Sequence, residues 1–443
     1  MDYIAAMDYI NNAGCRGIKM GTERMKKLME YLNNPQDSLK FIHIAGTNGK
    51  GSTTEFLASI LRQGGYRTGQ YLSPAVGPHL EQYRVNGVPM LENEYAKYVS
   101  LIAEAVIKME ADGFEAPTRF EIETAIAFLN FKNYICDIVL LETGMGGRDD
   151  ATNIINTVLV SVITSVSADH IGILGKDLKE IAEIKAGIIK YGVPAVMMHS
   201  SDEVEQQIIK RCKAVGTTLS VVDPNLITNK RYGISGQYFS YKSRKNLAIA
   251  MGGDHQIENA ALALEVCDQM INKGMILAED EIREGLAQAK LPYRMERILS
   301  DPLFIIDGAH NPDAALSLRN SLAHDLMGHS MIFIMGVFKD KDYRRICEII
   351  GPMADSCITV ETPDNKRALP AGELAECLSD YCDDIRVSES ISDAAKKALS
   401  LAEEAVEKLE EPLIVAFGSL SYLDELKKSV RELTDDHSIP VRG

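Results

Sequence analysis

Short apolar runs alternate with stretches of helical spacing almost from one end of the chain to the other. That rhythm predicts βα units packed around largely parallel sheets. Phe41 to Ala45 reads as a buried strand running into a glycine-rich turn. Behind the turn, Phe56, Leu57, Ile60 and Leu61 share one helical face, and Gly64-Gly65 ends that helix. Further buried strands are expected at Thr68–Leu72, Asp137–Leu141, Thr157–Thr164 and Val193–Met198. Tyr232–Met251 reads as a hairpin pair, Gln237–Tyr241 and Asn246–Met251, and a helix is expected from His255 to Asn272. From Leu303 the rhythm restarts, with strands at Leu303–Ile306, Met331–Met335, Cys357–Val360, Ile385–Val387 and Leu413–Phe417. The acidic stretch Ala394–Glu411 reads as a helix with one solvated face.

A chain of 443 residues exceeds one ordinary core, so the restart is taken as a domain boundary, giving 1–295 and 296–443. At 46% hydrophobic and 25% charged residues the chain has the profile of a globular protein rather than a disordered one. The formal charge of −16 argues against nucleic acid or an anionic membrane as partner. Any anionic substrate must then be met by local Lys, Arg or a metal ion. The eight cysteines form no C-x-x-C pair, which suits reduced thiols. With no signal-like start and no apolar run near the ~18 residues that span a bilayer, a cytoplasmic location is expected.

The candidate chemistry sits where expected strands end. Gly46-Thr47-Asn48-Gly49-Lys50-Gly51-Ser52-Thr53 lies between a strand and a helix. Glycines there let backbone N–H groups approach phosphate oxygens, and the helix N-terminus adds positive potential. Lys50 supplies a point charge, and Ser52 or Thr53 a hydroxyl. The spacing is shorter than G-x-x-x-x-G-K-[ST], so the strand-before, helix-after context has to carry the assignment. Glu142 ends a second strand, ahead of Thr143-Gly144-Met145-Gly146-Gly147-Arg148; a carboxylate there suits magnesium beside phosphate. Asp169-His170 follows a third strand, and Ser73-Pro74 a fourth. Lys185, at helical spacing, reads by itself as a solvated charge. In the second half Asp307-Gly308-Ala309-His310-Asn311 repeats the strand-then-polar-turn pattern, placing Asp307 for a ribose and His310 and Asn311 for a phosphate.

Seven motifs in this order resemble the Mur ligase superfamily, and most closely its folylpolyglutamate synthase / dihydrofolate synthase branch. They are A-G-T-N-G-K-G-S at Ala45–Ser52, L-E-T-G-M-G-G-R-D-D-A-T-N at Leu141–Asn153, D-H at Asp169–His170, K-A-G-I-I-K at Lys185–Lys190, H-Q-x-x-N-A at His255–Ala260, R-M-E at Arg294–Glu296 and D-G-A-H-N-P at Asp307–Pro312. The resemblance covers nearly the whole chain. It implies an α/β fold: a P-loop, three-layer ATPase domain with a parallel sheet, then a smaller Rossmann-like domain, with ATP and substrates in the cleft between them.

It also implies roles. Ser73, Glu142 and His170 match the family's magnesium ligands, and Lys185 a lysine that takes up CO₂ to become an anionic carbamate. One or two magnesium ions are expected, with ATP as co-substrate. Asn259, Arg294 and Asp307 match ATP contacts, and Lys50, Lys185 and His310 are the catalytic candidates. Thr118, Phe120 and Glu121, with Asp149, Asp150 and Ala151, match pterin-binding segments; Thr22, Glu23 and Arg24 resemble a further element of that pocket. The implied partners are folate or dihydropteroate, L-glutamate and ATP, on a monomer. There are departures: Ala75-Val76 where the family often has His-Leu, Gln82 where Arg is common, and Ile184 where an acidic residue is often found. They leave the metal and ATP positions intact and bear on the folate pocket. A related amide ligase for another carboxylate and a nucleotide-binding regulator without chemistry remain as alternatives.

Overall fold

The computed structural model describes residues 1–75, 77–167, 175–233, 236–363 and 366–435. They divide into two compact units. The first holds Met1–Asn229, Phe239–Ile249 and Gln256–Lys290; the second holds Lys230–Tyr238, Ala250–His255 and the chain from Leu291.

The chain opens with α1 (Tyr3–Gly14), α2 (Glu23–Tyr31), β1 (Phe41–Ala45), α3 (Lys50–Gln63), β2 (Thr68–Tyr71), β3 (Tyr83–Val85), β4 (Val88–Pro89), α4 (Glu92–Ala111) and α5 (Arg119–Asn133). It continues through β5 (Ile138–Glu142), β6 (Val158–Ile163), α6 (Leu178–Ala186), β7 (Ala195–Met198), α7 (Asp202–Ala214) and β8 (Leu219–Val222). Next come β9 (Ile227–Arg231), β10 (Gln237–Tyr241) and β11 (Arg244–Ile249), a three-stranded sheet rather than the expected hairpin, then α8 (Asp254–Asn272) and α9 (Glu279–Gln288).

The main sheet of this unit runs β4-β3-β2-β5-β1-β6-β7-β8. From β2 to β8 every pairing is parallel, while β3 and β4 add an antiparallel edge. Strands β1 and β5 are buried along their whole length, as expected where helices cover both faces of a parallel sheet. One face packs Phe41, Val139 and Leu141 with Ile122 and Phe128 of α5 and Val99 and Ile102 of α4; Phe41 and Phe128 meet edge to face at 5.7 Å. Helix α3 lies along β1, β2 and β5 and is crossed by α9. The crossing needs Gly285, where a Cβ would fall 2.4 Å from Ile60 Cα.

An imidazole also stands inside this unit. His43, on β1, is fully buried. Burial, and then the charge of Lys190, push its pKa down from 6.5 to about 3. The unfolded chain therefore binds this proton as pH falls through 6.5, whereas the folded chain binds it only near 3. Stability is lost across that window, on the order of 5 kcal/mol by pH 3 at about 1.4 kcal/mol per unit. His79 shifts the same way, to about 4, through burial and then Arg119. Urea unfolding at pH 7 and pH 4 checks this: His43→Gln should lose clearly less stability in that step than the parent, and equal losses would contradict it.

The second unit carries β12 (Glu296–Ser300), β13 (Leu303–Ile306), α10 (Pro312–Asp325), β14 (Ser330–Met335), α11 (Tyr343–Ile350), β15 (Ser356–Thr359), α12 (Ala371–Leu378), β16 (Ile385–Val387), α13 (Ile391–Glu407), β17 (Pro412–Phe417) and α14 (Leu420–Asp435). Its sheet runs β12-β13-β17-β14-β15-β16, parallel except for β12. Ala394, Ala395, Ala398, Leu401 and Ala402 bury one face of α13, so the acidic stretch is amphipathic as expected. The mixed α/β class and the parallel-rich sheets agree with the pattern in the sequence. Among the described residues no helix is long and apolar enough to cross a membrane.

Candidate functional site

Strands β2, β5, β1 and β6 are neighbours and parallel, so the segments after them leave the sheet at one edge. The glycine loop leaves from β1 and is pinned by the residues following β6. Thr47 N donates to Ser165 O at 2.7 Å, Asn48 N to Ser165 Oγ at 3.1 Å, and Thr164 Oγ1 to Asn48 O at 2.7 Å. A Cβ on Gly46 would stand 1.7 Å from Thr164 Oγ1, so only glycine allows this approach. Gly49 (φ 84°) starts α3 without a capping side chain. The first amides of α3 thus lack a side-chain cap at that position, a setting that suits an anion. A Cβ on Gly49 would lie 2.4 Å from Asn259 Oδ1, which sets Asn259 of α8 directly against the loop. Ser52 and Thr53 are buried, and Thr53 Oγ1 has no hydrogen-bond partner among the described residues.

Lys50 bends back over the loop. Its Nζ donates to Thr47 O at 3.1 Å and lies 3.6 Å from Glu142 Oε1. Glu142, the last residue of β5, is 6% exposed. Lys185 is only 3% exposed, which corrects its reading as a solvated charge. It occupies the last turn of α6, on the face that buries Ile181 and Ala182. The glycine turn after Glu142 packs onto that turn: Arg148 N donates to Ile184 O at 2.8 Å, and a Cβ on Gly147 would come within 2.9 Å of Lys185 O. Ser73 follows β2, the strand beside β5. A buried carboxylate and a hydroxyl at one edge are hard oxygen donors, a set that fits magnesium when phosphate and water complete its shell. His170 lies outside the described residues.

Beside this edge opens a cavity of about 410 Å³. Thr118, Phe120, Glu121, Asp149, Asp150 and Ala151 line it, and so does Ser73. From the N-terminal element it is Gly17 to Gly21 that reach the wall. Thr22 and Glu23 begin α2 instead, and Arg24 Nε pairs with Glu121 Oε2 at 3.2 Å. Thr118 and Glu121 form a capping box at the start of α5: Glu121 Oε2 accepts from Thr118 N at 2.7 Å and Thr118 Oγ1 at 2.9 Å. Glu121 Oε1 is buried without a partner among the described residues. Arg119 and Glu123 also line the cavity, joined at 2.8 Å. Burial raises the Glu123 pKa, against the pull of Arg119. Sequence reasoning missed this pair, although an Arg–Glu spacing of four on α5 was visible.

In the second unit, the turn after β13 is braced by its own carboxylate. Asp307 Oδ2 accepts from Met295 N and Oδ1 from Ala309 N, both at 2.9 Å. Arg294 Nη1 donates to Tyr293 O at 2.9 Å, and a Cβ on Gly308 would lie 2.4 Å from that same nitrogen. Asp307 and Arg294 are thus brought together around Gly308. His310 Nδ1 stands 2.8 Å from Gly308 O, which fixes the proton on Nδ1, since a carbonyl only accepts. Asn311 is buried and caps α10, accepting from Ala314 N at 2.9 Å. Its Oδ1 serves that helix, a role that the sequence reading, which had turned Asn311 toward phosphate, did not assign.

Two family models match the chain: Mur ligase middle domain over residues 44–267 and Mur ligase, glutamate ligase domain, over residues 293–420. The dihydrofolate synthase/folylpolyglutamate synthase of Bacillus subtilis is 32% identical across 97% of this chain and 99% of its own. A Mycobacterium tuberculosis folylpolyglutamate synthase, solved with ADP and AMPPCP, superposes with a TM-score of 0.88 at 30% identity, covering 99% of this chain and 100% of that one. Escherichia coli FolC, solved with DHPP and ADP, superposes at 0.82 and 28% identity, covering 99% of each chain. The motifs, the glycine-loop edge and these matches across the full length converge: the chain belongs to the dihydrofolate synthase/folylpolyglutamate synthase family of Mur ligases.

Proposed function

We propose that this ligase joins L-glutamate to the terminal carboxylate of a folate at the expense of ATP, and that it also adds glutamate to dihydropteroate. The observation that carries the reading is the juxtaposition within one unit of the Lys50–Glu142 edge and the cavity lined by Phe120, Glu121 and Ser73. The loop amides and Lys50 hold the outer phosphates of ATP, and Asn259 steadies the loop. Within the second unit, Arg294 and Asp307 stand together around Gly308 as its candidate nucleotide contacts. In the cavity, Phe120 offers a face for a flat ring, and Glu121 Oε1 an acceptor for a ring amine.

A carboxylate oxygen of the folate attacks the γ-phosphorus of ATP, and ADP leaves. The resulting acyl phosphate is attacked at its carbonyl carbon by the glutamate amine, which gives up a proton as inorganic phosphate departs. Glu142, Ser73, His170 and Lys185 as its carbamate would hold magnesium, which when bound neutralises charge on the phosphate oxygens. Lys50 places the transferring group and balances its charge as the bond to ADP breaks.

Purified protein given ATP and glutamate should release ADP with dihydropteroate or a reduced folate and not with a muramyl peptide. Release that depends on neither pterin substrate would overturn the reading. A regulator without chemistry would release none.

A further inference from the structure

His43 puts an imidazole in the middle of a strand otherwise built of Phe, Ile and Ala. A buried polar ring is costly unless it is hydrogen-bonded. Its Nε2 lies 2.9 Å from Thr152 Oγ1, and Thr152 Oγ1 lies 2.6 Å from Asp150 Oδ1. Asp150 Oδ1 also accepts from Thr152 N at 2.9 Å, and Oδ2 from Met145 N at 2.8 Å. Burial raises the Asp150 pKa, opposed by these bonds and by one from the Gly144 backbone. Both oxygens accept from backbone N–H groups, the arrangement that holds an ionised carboxyl.

The direction of the chain follows. A carboxylate only accepts, so the Thr152 hydroxyl proton points at Asp150 and its lone pair faces the imidazole. His43 must then donate from Nε2. Its Nδ1 is the bare nitrogen, buried without a partner among the described residues, and burial disfavours the charged ring. The far end of the chain is a wall of the cavity: Gly144, Met145 and Asp150 all line it. A Cβ on Gly144 would fall 2.3 Å from Phe120 Cζ, so this turn presses on the Phe120 ring. Asp150 spends its oxygens on Thr152 and on the turn, which makes it a brace.

We infer that His43 is a positioning residue for the folate cavity: through Thr152 it fixes Asp150, which holds the Gly144–Met145 turn against Phe120 and so sets the slot for the ring. The inference rests on the reading of this cavity as the folate site. A histidine that merely filled the core would act differently, because β1 runs straight into the ATP loop and damage there would reach nucleotide binding.

The test measures KM for folate, KM for ATP and kcat in the full-length enzyme. Thr152→Val should raise the folate KM by about tenfold or more, the worth of a buried hydrogen bond to a charged group, and leave the ATP KM within about twofold. Thr152→Ser should restore it. His43→Leu should match Thr152→Val, and the double variant should be no worse than either. The imidazole ¹⁵N spectrum should show the Nε2–H tautomer in the parent and lose that signature in Thr152→Val. An Nδ1–H tautomer, or parallel rises in both KM values, overturns the proposal. Phe120→Ala separates it from the reading beneath: if Phe120→Ala raises the folate KM and Thr152→Val does not, the positioning role falls alone. If neither moves it, the cavity reading falls and takes the proposal with it.

Discussion

Lys185→Ala is expected to lose about 10²–10³-fold in turnover, the scale of removing one preorganised electrostatic contact, and to regain part of it when a short carboxylic acid is added. The residue is 3% exposed at the end of α6, against the turn that follows Glu142. A plain ammonium is a poor neighbour for metal ions, which would repel it. The proposed carbamate, formed with CO₂, would be an anion that can help hold them. Alanine leaves a space that acetate or formate can enter, carrying the missing charge but not the tether. ADP release with and without added acetate reads both halves of the result. Full activity in the unsupplemented variant would remove the carbamate from the account.

Glu142→Gln is expected to cost a similar 10²–10³-fold in kcat and to move the magnesium requirement to higher concentration. Glutamine keeps the shape and one carbonyl oxygen and loses the charge. It also leaves the Lys50 ammonium, 3.6 Å away, without the carboxylate that faces it. Titrating magnesium against ADP release separates these effects: a metal ligand shifts the half-saturating concentration, whereas a mere partner of Lys50 lowers turnover at an unchanged one. An unchanged magnesium curve would take Glu142 out of the metal site.

Much of this site was legible because it lies at strand ends. The runs at Phe41, Ile138 and Val158 marked central strands of a covered parallel sheet, and the described polar residues just past them fall at one edge of it. Lys185 is instructive because its spacing held the answer. It stands four residues after Ile181 and three after Ala182, both buried, so the helical face was readable while the expectation for a lone lysine pointed the other way. Asn311 is a similar case, since an Asn before Pro312 is the pattern of a helix cap. The cavity wall at Gly17–Gly21 was harder to see. It belongs to a loop with neither period, and only the fold brings it to Phe120. His43 was hidden for another reason: in a run of apolar residues nothing local reveals a partner 109 positions away.

The central claim is that ATP is spent on activating the folate carboxylate, and oxygen labelling tests it most directly. With ¹⁸O in the terminal carboxylate of the folate, and glutamate and ATP supplied, one labelled oxygen should appear in each inorganic phosphate released, and the product should carry one more glutamyl residue. Phosphate that draws its new oxygen from water, with the label left in the folate carboxylate, would contradict the account.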